Sequence, residues 1–283
     1  MKFLGIFSKN IFRFLAGRSY SRLRNNSIET TLARSVGMLD AQTIDEIKSY
    51  IKGQQTTTGG FADRGGNSDL YYSLFGLYIA EALEINEIKP ALKTYLKNLI
   101  ETEELTGIYL KCAVILYIKL FGISTLPPVL RKSENLAAQY SDFVNLLAYY
   151  YSEDYISLFL VSRKLKKIKL SGGMPCSVMS ASLILQRSIG KLSEEPWHWM
   201  SGYFKNGGFS AFSKTPHCDL LSTGVALYAL RFADSNLSLI KPDCLTYIDS
   251  LYSDGGFCAT AFDPGADVEY TFYGLLALGS LTG

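Results

Sequence analysis

Gly59-Gly60-Phe61 followed by Asp69-Leu-Tyr-Tyr-Ser73, Gly207-Gly208-Phe209 followed by Asp219-Leu-Leu-Ser-Thr223, and Gly255-Gly256-Phe257 followed by Asp267-Val-Glu-Tyr-Thr271 are three copies of one pattern. Each copy is Gly-Gly-Phe, a short polar loop, then Asp-x-x-x-Ser/Thr opening an apolar helical run. Gly207 stands 48 residues before Gly255, and Gly59 stands 148 before Gly207, close to three such units. Self-similarity at a period of this length marks a repeat architecture. Two weaker copies fill the gap: Gly107-Ile-Tyr109 ahead of Leu110–Leu120, and Gly172-Gly173-Met174 ahead of Cys176–Leu185. Their uneven spacing places an insertion over Pro127–Lys169, and one further helical unit is expected before Gly59.

The pattern has a mechanical reading. An Asp at a helix start accepts the orphan N–H groups of the first turn. Paired glycines allow the positive φ of a tight turn. The runs after Asp219 and Asp267 are apolar nearly all round, which predicts helices buried on most faces. Between them lie amphipathic segments such as Lys89–Leu99 and Pro242–Leu251. This alternation predicts two concentric layers of helices, each hairpin burying its face by stacking on its neighbours.

Helix signals dominate and strand-like alternation is scarce, which points to an all-α fold. Of 283 residues 48% are hydrophobic and 19% charged, a balance that builds a large buried core. The net charge of +2 gives no case for nucleic acid. Five cysteines without CxxC spacing point to a reducing compartment, hence a cytoplasmic location. Charge is uneven along the chain. Residues 1–28 hold six Lys/Arg and no Asp/Glu, leaving 22 basic against 26 acidic residues beyond them, net −4. Lys2, Lys9 and Arg13 share one helical face, and Phe3, Leu4, Phe7, Ile11, Phe14 and Leu15 share the opposite one. Residues 1–26 therefore form a basic amphipathic segment with three open readings: peripheral membrane contact, organellar targeting, or docking on the first repeat. Residues 27–283 form the repeat domain. No apolar run is long enough to span a membrane.

The three repeats resemble those of the protein prenyltransferase β-subunit and class II terpene (squalene–hopene type) cyclase superfamily, over most of the chain after Gln54. The resemblance implies a single α/α toroid of about five or six hairpins, whose inner ring encloses an apolar funnel for a prenyl diphosphate or polyprene. The chain's 16 Phe, 19 Tyr and 2 Trp suit such a wall, since ring faces pack on isoprene units and stabilise carbocations. In the prenyltransferase branch a zinc ion is held by an Asp, a Cys and a His. Projected here, Asp219 keeps the Asp, Leu221 takes the Cys position and Tyr270 the His position, so an ordinary zinc site is not expected. The cyclase branch carries Asp-x-Asp-Asp-Thr, whose middle Asp protonates an alkene or epoxide. Asp267-Val-Glu-Tyr-Thr271 keeps the first Asp and the Thr, with Glu269 at the acid position and Tyr270 at the third carboxylate. Glu269 and Asp267 are thus the candidate catalytic residues; Tyr270, Asp219, Phe209, Phe257 and Tyr72 are the candidate substrate-binding ones. A helix N-terminus favours ionised carboxylates, so burial or a hydrogen bond from Tyr270 must outweigh it if Glu269 is to hold a proton.

With a diphosphate substrate the resemblance also admits Mg²⁺, and in both branches it implies a partner subunit or second domain. Three functions follow: an isoprenoid-handling transferase or cyclase, a degenerate lipid- or peptide-binding scaffold, and a membrane-associated interaction protein. Other constellations are weaker. Cys176 reads as a buried repeat cysteine, Arg163–Lys169 as a charged helix end or anion grip, and Trp197-His198-Trp199 as a packed outer corner.

Overall fold

A computed structural model describes residues 17, 21–131, 147–165, 170, 173–188, 190, 195–263 and 265–282, with the backbone alone over 161–165. The chain is mostly helical. In order come α1 (Ile28–Val36), α2 (Ala41–Gly53), α3 (Leu70–Ala82), α4 (Lys89–Thr102), α5 (Gly107–Phe121), α6 (Tyr155–Leu165), α7 (Cys176–Ser188), α8 (Pro196–Met200), α9 (Leu220–Phe232), α10 (Lys241–Asp249) and α11 (Val268–Ser280). Short antiparallel strand pairs punctuate them: β1 (Phe61–Ala62) with β2 (Ser68–Asp69), β3 (Phe204–Lys205) with β4 (Gly208–Phe209), and β5 (Tyr252–Ser253) with β6 (Gly256–Phe257).

Helices α3, α5, α7, α9 and α11 are buried on most faces. Helices α2, α4 and α10 bury one stripe each: Ile47 and Ile51, then Leu92, Tyr95 and Leu96, then Cys244 and Ile248. The buried helices pack in the order α7, α9, α11, α3, α5, so the last repeat's helix lies beside the first repeat's. Helix α1 packs on α11 and α3.

The repeated motif is explained by its hydrogen bonds. Asp69, Asp219 and Asp267 cap α3, α9 and α11, each Oδ1 accepting the N–H three residues on, from Tyr72, Ser222 and Tyr270. The hydroxyls of Ser73, Thr223 and Thr271 donate to the carbonyl of that Asp. The same hydroxyls accept the N–H of Phe61, Phe209 and Phe257. One side chain thus staples each loop to its helix and satisfies a buried amide that is costly to orphan. The three Phe rings are fully buried, worth about 1.5–3 kcal/mol apiece.

The paired glycines bring the loop against the outer layer. Gly59, Gly207 and Gly255 have φ of +94°, +84° and +82°. A Cβ on them would lie 2.3, 2.3 and 2.7 Å from the carbonyl oxygens of Ala91, Asp243 and Glu46. The second glycine of each pair meets the ring of Tyr95, Tyr247 or Tyr50 on the same outer helix. The first loop therefore seats on α4, the second on α10, and the last on α2 near the start of the chain.

Both weak copies stand ahead of a buried helix, as expected, and the first differs from the strong copies in its loop. Gly107-Ile-Tyr109 is no hairpin but the first turn of α5, behind Thr106. It lacks the glycine pair that holds the other loops against an outer helix. In the second weak copy Gly173 keeps a positive φ of +90°, and Gly172 lies outside the described residues. The expected insertion contains helical residues 147–151 and α6.

The apolar and basic face of residues 1–16 and the side chains of Arg163–Lys169 also lie outside the described residues. At the end of the N-terminal segment, Leu23 is buried, and Arg22 donates to the carbonyls of Arg187 and Ser188 at 2.7 and 3.2 Å. This cation satisfies the C-terminal end of α7. Among the described residues, no helix is long and apolar enough to cross a membrane.

Candidate functional site

Among the described residues, side chains from α1, α3, α5, α7, α9 and α11 line a cavity of about 70 Å³ between them. Its wall is aromatic: Tyr71, Phe75, Tyr78, Tyr228, Phe272 and Tyr273. The rings touch one another, with Phe75 and Phe272 centroids 4.6 Å apart. The volume is far below the roughly 300–1,000 Å³ of ordinary small-molecule sites. Cys112 also lines the cavity, and burial pushes its thiol up to about 12, which makes it a poor nucleophile. Burial likewise pushes the Cys176 thiol up, in keeping with a packed repeat cysteine.

At the N-terminal ends of α3 and α11 lies a cluster of titratable groups. Tyr71, on the cavity wall, donates to Glu269 Oε1 at 3.3 Å, and the Tyr72 hydroxyl also bonds to this carboxyl. Burial, then the neighbouring Asp267 charge, pushes Glu269 up to about 7. Desolvation thus outweighs the ionising influence of the helix N-terminus. The tyrosines that bond to Glu269 are Tyr71 and Tyr72, where the sequence pointed to Tyr270.

Arg64 ties this end together. It comes from the loop after Phe61 and reaches across to the last repeat. Its Nε meets Asp267 Oδ2 at 2.5 Å, and its two Nη atoms hold both oxygens of Asp263 at 3.1 and 2.6 Å. Its guanidinium stacks over the Tyr270 ring, 5.1 Å from the centroid. Arg64 holds Asp263 below the usual carboxylate range. Burial raises Asp267 by more than the Tyr270 N–H and Arg64 lower it. Burial, with Glu269 and Asp267 nearby, raises the Tyr270 hydroxyl to about 12.

The sequence candidates separate into two groups. Asp267, Glu269, Tyr270 and Tyr72 meet in this cluster. Asp219 caps the neighbouring α9, and burial raises its carboxyl. Phe209 and Phe257 are not part of the central wall. Phe209 packs on Trp197 and Phe204, and Phe257 on Tyr252, with a Cβ at Gly274 only 2.6 Å from the Phe257 ring. Their motif position points between the layers because the N–H staple fixes the loop there.

Sequence reading missed Arg64, Tyr71 and Asp263. Asp263 lies in the short loop between Phe257 and Asp267, and Tyr71 is two residues after Asp69, as Glu269 is after Asp267. That shared position was the available signal. For Arg64 no spacing signal existed.

The donor set does not fit the metals the resemblance implies. Leu221 is no ligand, and among the described residues no three His, Cys, Asp or Glu converge. His198 and His217 are exposed. The carboxylates of Asp263 and Asp267 already spend their oxygens on Arg64 and on the N–H groups of Ala259 and Tyr270. These two leave little lone-pair capacity for Mg²⁺. Comparison with protein-family models finds no match to this chain, and comparison with curated proteins finds none either.

Proposed function

We propose that this chain is an isoprenoid-handling protein with an α/α-toroid fold, in which Glu269 gives a proton to an alkene or epoxide of a polyprene in the aromatic cavity. The observation that carries this reading is the Glu269 carboxyl, held near 7 and joined through Tyr71 to the cavity wall. A group with a pKa near the working pH is both protonated and able to give its proton up. The alkene electron pair forms the new C–H bond, and the positive charge left on the adjacent carbon faces the rings of Phe75 and Phe272. The seating of the last Gly-Gly-Phe loop on α2 supports ring closure, and so does the Arg64 bridge from first repeat to last. A polyprene exceeds about 70 Å³, so this reading requires the wall to widen on binding.

A second reading is favoured by the absorption of Asp69, Asp219 and Asp267 into helix caps. On it, the chain is a catalytically degenerate scaffold that binds lipid or peptide. Native mass spectrometry with farnesyl diphosphate, geranylgeranyl diphosphate and squalene separates the two. Retention of one ligand, with turnover lost in Glu269→Gln, supports the first. Retention of one ligand with no turnover by wild type supports the second, and retention of none contradicts the first.

A further inference from the structure

About two helical turns along α3 from Tyr71, roughly 10 Å, a second set of polar groups meets the same cavity. Tyr78 lines the wall and donates to the Tyr151 hydroxyl at 2.9 Å. Tyr151 in turn donates to Glu29 Oε1 on α1. Lys119 Nζ lies 2.5 Å from Glu29 and 2.8 Å from Glu81, and 4.7 Å from the centroid of the Tyr78 ring. Two carboxylates share one ammonium, so these three groups carry one excess negative charge beside an aromatic wall. Burial opposes ionisation of Glu29, but the Lys119 charge and the hydrogen bonds from Lys119 and Tyr151 hold it below the usual carboxylate range. A cluster of this kind attracts a cation and has an acceptor ready for a proton.

We infer that Tyr78, relayed through Tyr151 to Glu29, is the proton-accepting end of the cavity, where a polyprene cation formed at the Glu269 end is quenched. The inference rests on the proposed acid role of Glu269. A C–H bond next to the cationic carbon breaks, and its electron pair becomes the new C=C bond. That proton passes to the Tyr78 oxygen as Tyr78's own proton moves to Tyr151 and Tyr151's moves to Glu29. A hydroxyl that donates one hydrogen bond still accepts through its remaining lone pairs, so each oxygen can play both parts. The Glu29 side chain is 34% exposed, which lets the proton leave to water, and Glu269 is reprotonated at its own end. Tyr78 is the catalytic group; Tyr151 and Glu29 act through it. The weak basicity of the relay is no obstacle, because a C–H beside a carbocation is a very strong acid.

The test uses full-length protein and the variants Tyr78→Phe, Tyr151→Phe and Glu29→Gln, each checked for an unchanged Tm. Squalene and geranylgeranyl diphosphate are the probes, with products read by mass spectrometry. Each variant is expected to consume probe in a Glu269-dependent way while shifting its products from alkene to water-captured alcohol by about tenfold, as loss of a positioned base requires. An unchanged alkene-to-alcohol ratio overturns the relay. Wild-type rates in Glu269→Gln instead overturn the acid reading on which it rests.

Binding of N,N-dimethyldodecylamine against neutral dodecanol, by calorimetry, decides the matter without turnover. Glu29→Gln should lose about tenfold in amine affinity and none in dodecanol affinity, since only the cation feels the charge. Equal amine affinity in wild type and Glu29→Gln contradicts the proposal.

Discussion

The first and last copies of the repeat share a framework and differ in what they carry. In both, an Asp caps the helix, a Ser or Thr hydroxyl staples the loop, and a Phe ring lies against a helical glycine, Gly76 or Gly274, whose Cβ would sit 2.6 Å from ring atoms. They part at the second residue after the Asp, Tyr71 in one copy and Glu269 in the other, and these two side chains hydrogen-bond to each other. The spare Asp oxygen differs too: Asp69 Oδ2 accepts from Tyr109, Asp267 Oδ2 from Arg64. The shared parts of the pattern are architecture. Candidate chemistry stands where equivalent positions diverge.

The largest effect should come from breaking the shared framework. Gly59→Ala and Gly255→Ala each drive a Cβ into a carbonyl oxygen of an outer helix at a positive φ. Each is expected to cost about 3 kcal/mol or more in urea unfolding. A silent Gly255→Ala would break the equivalence of the two copies.

Next is Glu269→Gln, which should separate the copies. The folded pKa of Glu269 is raised, so the wild-type protein binds the extra proton in the folded state and loses stability as pH rises from about 4.5 through about 7. The glutamine variant, with no proton to lose at this position, has no such loss. Relative to wild type, it should gain about 3 kcal/mol between pH 4 and pH 8, from roughly 1.4 kcal/mol per pKa unit over the rise from 4.5 to about 7. The matched change Tyr71→Phe should raise the Glu269 pKa further, because the Tyr71 hydrogen bond lowers it, and so carry that loss of stability to higher pH.

Smaller again are Ser73→Ala and Thr271→Val. Each orphans a buried Phe N–H, at about 1–2 kcal/mol apiece and similar in size in the two copies. Arg64→Gln should cost about 1 kcal/mol, because the Arg64 side chain is 47% exposed and its ion pairs are partly screened. It should also raise the Glu269 pKa, since Arg64 lowers it. Tyr109→Phe, an exposed partner of Asp69, should fall within about 0.5 kcal/mol of wild type.

Much of the fold was legible because the motif is local. Asp capping, glycine turns and all-round apolar runs each follow from residues within one hairpin, and the two classes of helix burial follow from periodicity. The strand pairs were missed, though Asn206-Gly207 and Asp254-Gly255 offered the dipeptide signal of a tight hairpin, with φ of +49° and +51° at the first residue. The candidate site was half legible. Glu269 and Asp267 stand in a readable motif, but Arg64 lies about 200 residues away, and only packing of α3 against α11 brings it in. Phe209 and Phe257 were assigned to the wall because sequence cannot tell which side of a layer a ring faces.

The most direct measurement is the titration of the Glu269 side-chain carboxyl by ¹³C NMR in the full chain, assigned by difference with Glu269→Gln. A midpoint near 7, above the ordinary glutamate value, is the expected result. A midpoint at or below about 4.5 would mean a solvated, ionised carboxylate and would contradict Glu269 as the proton donor.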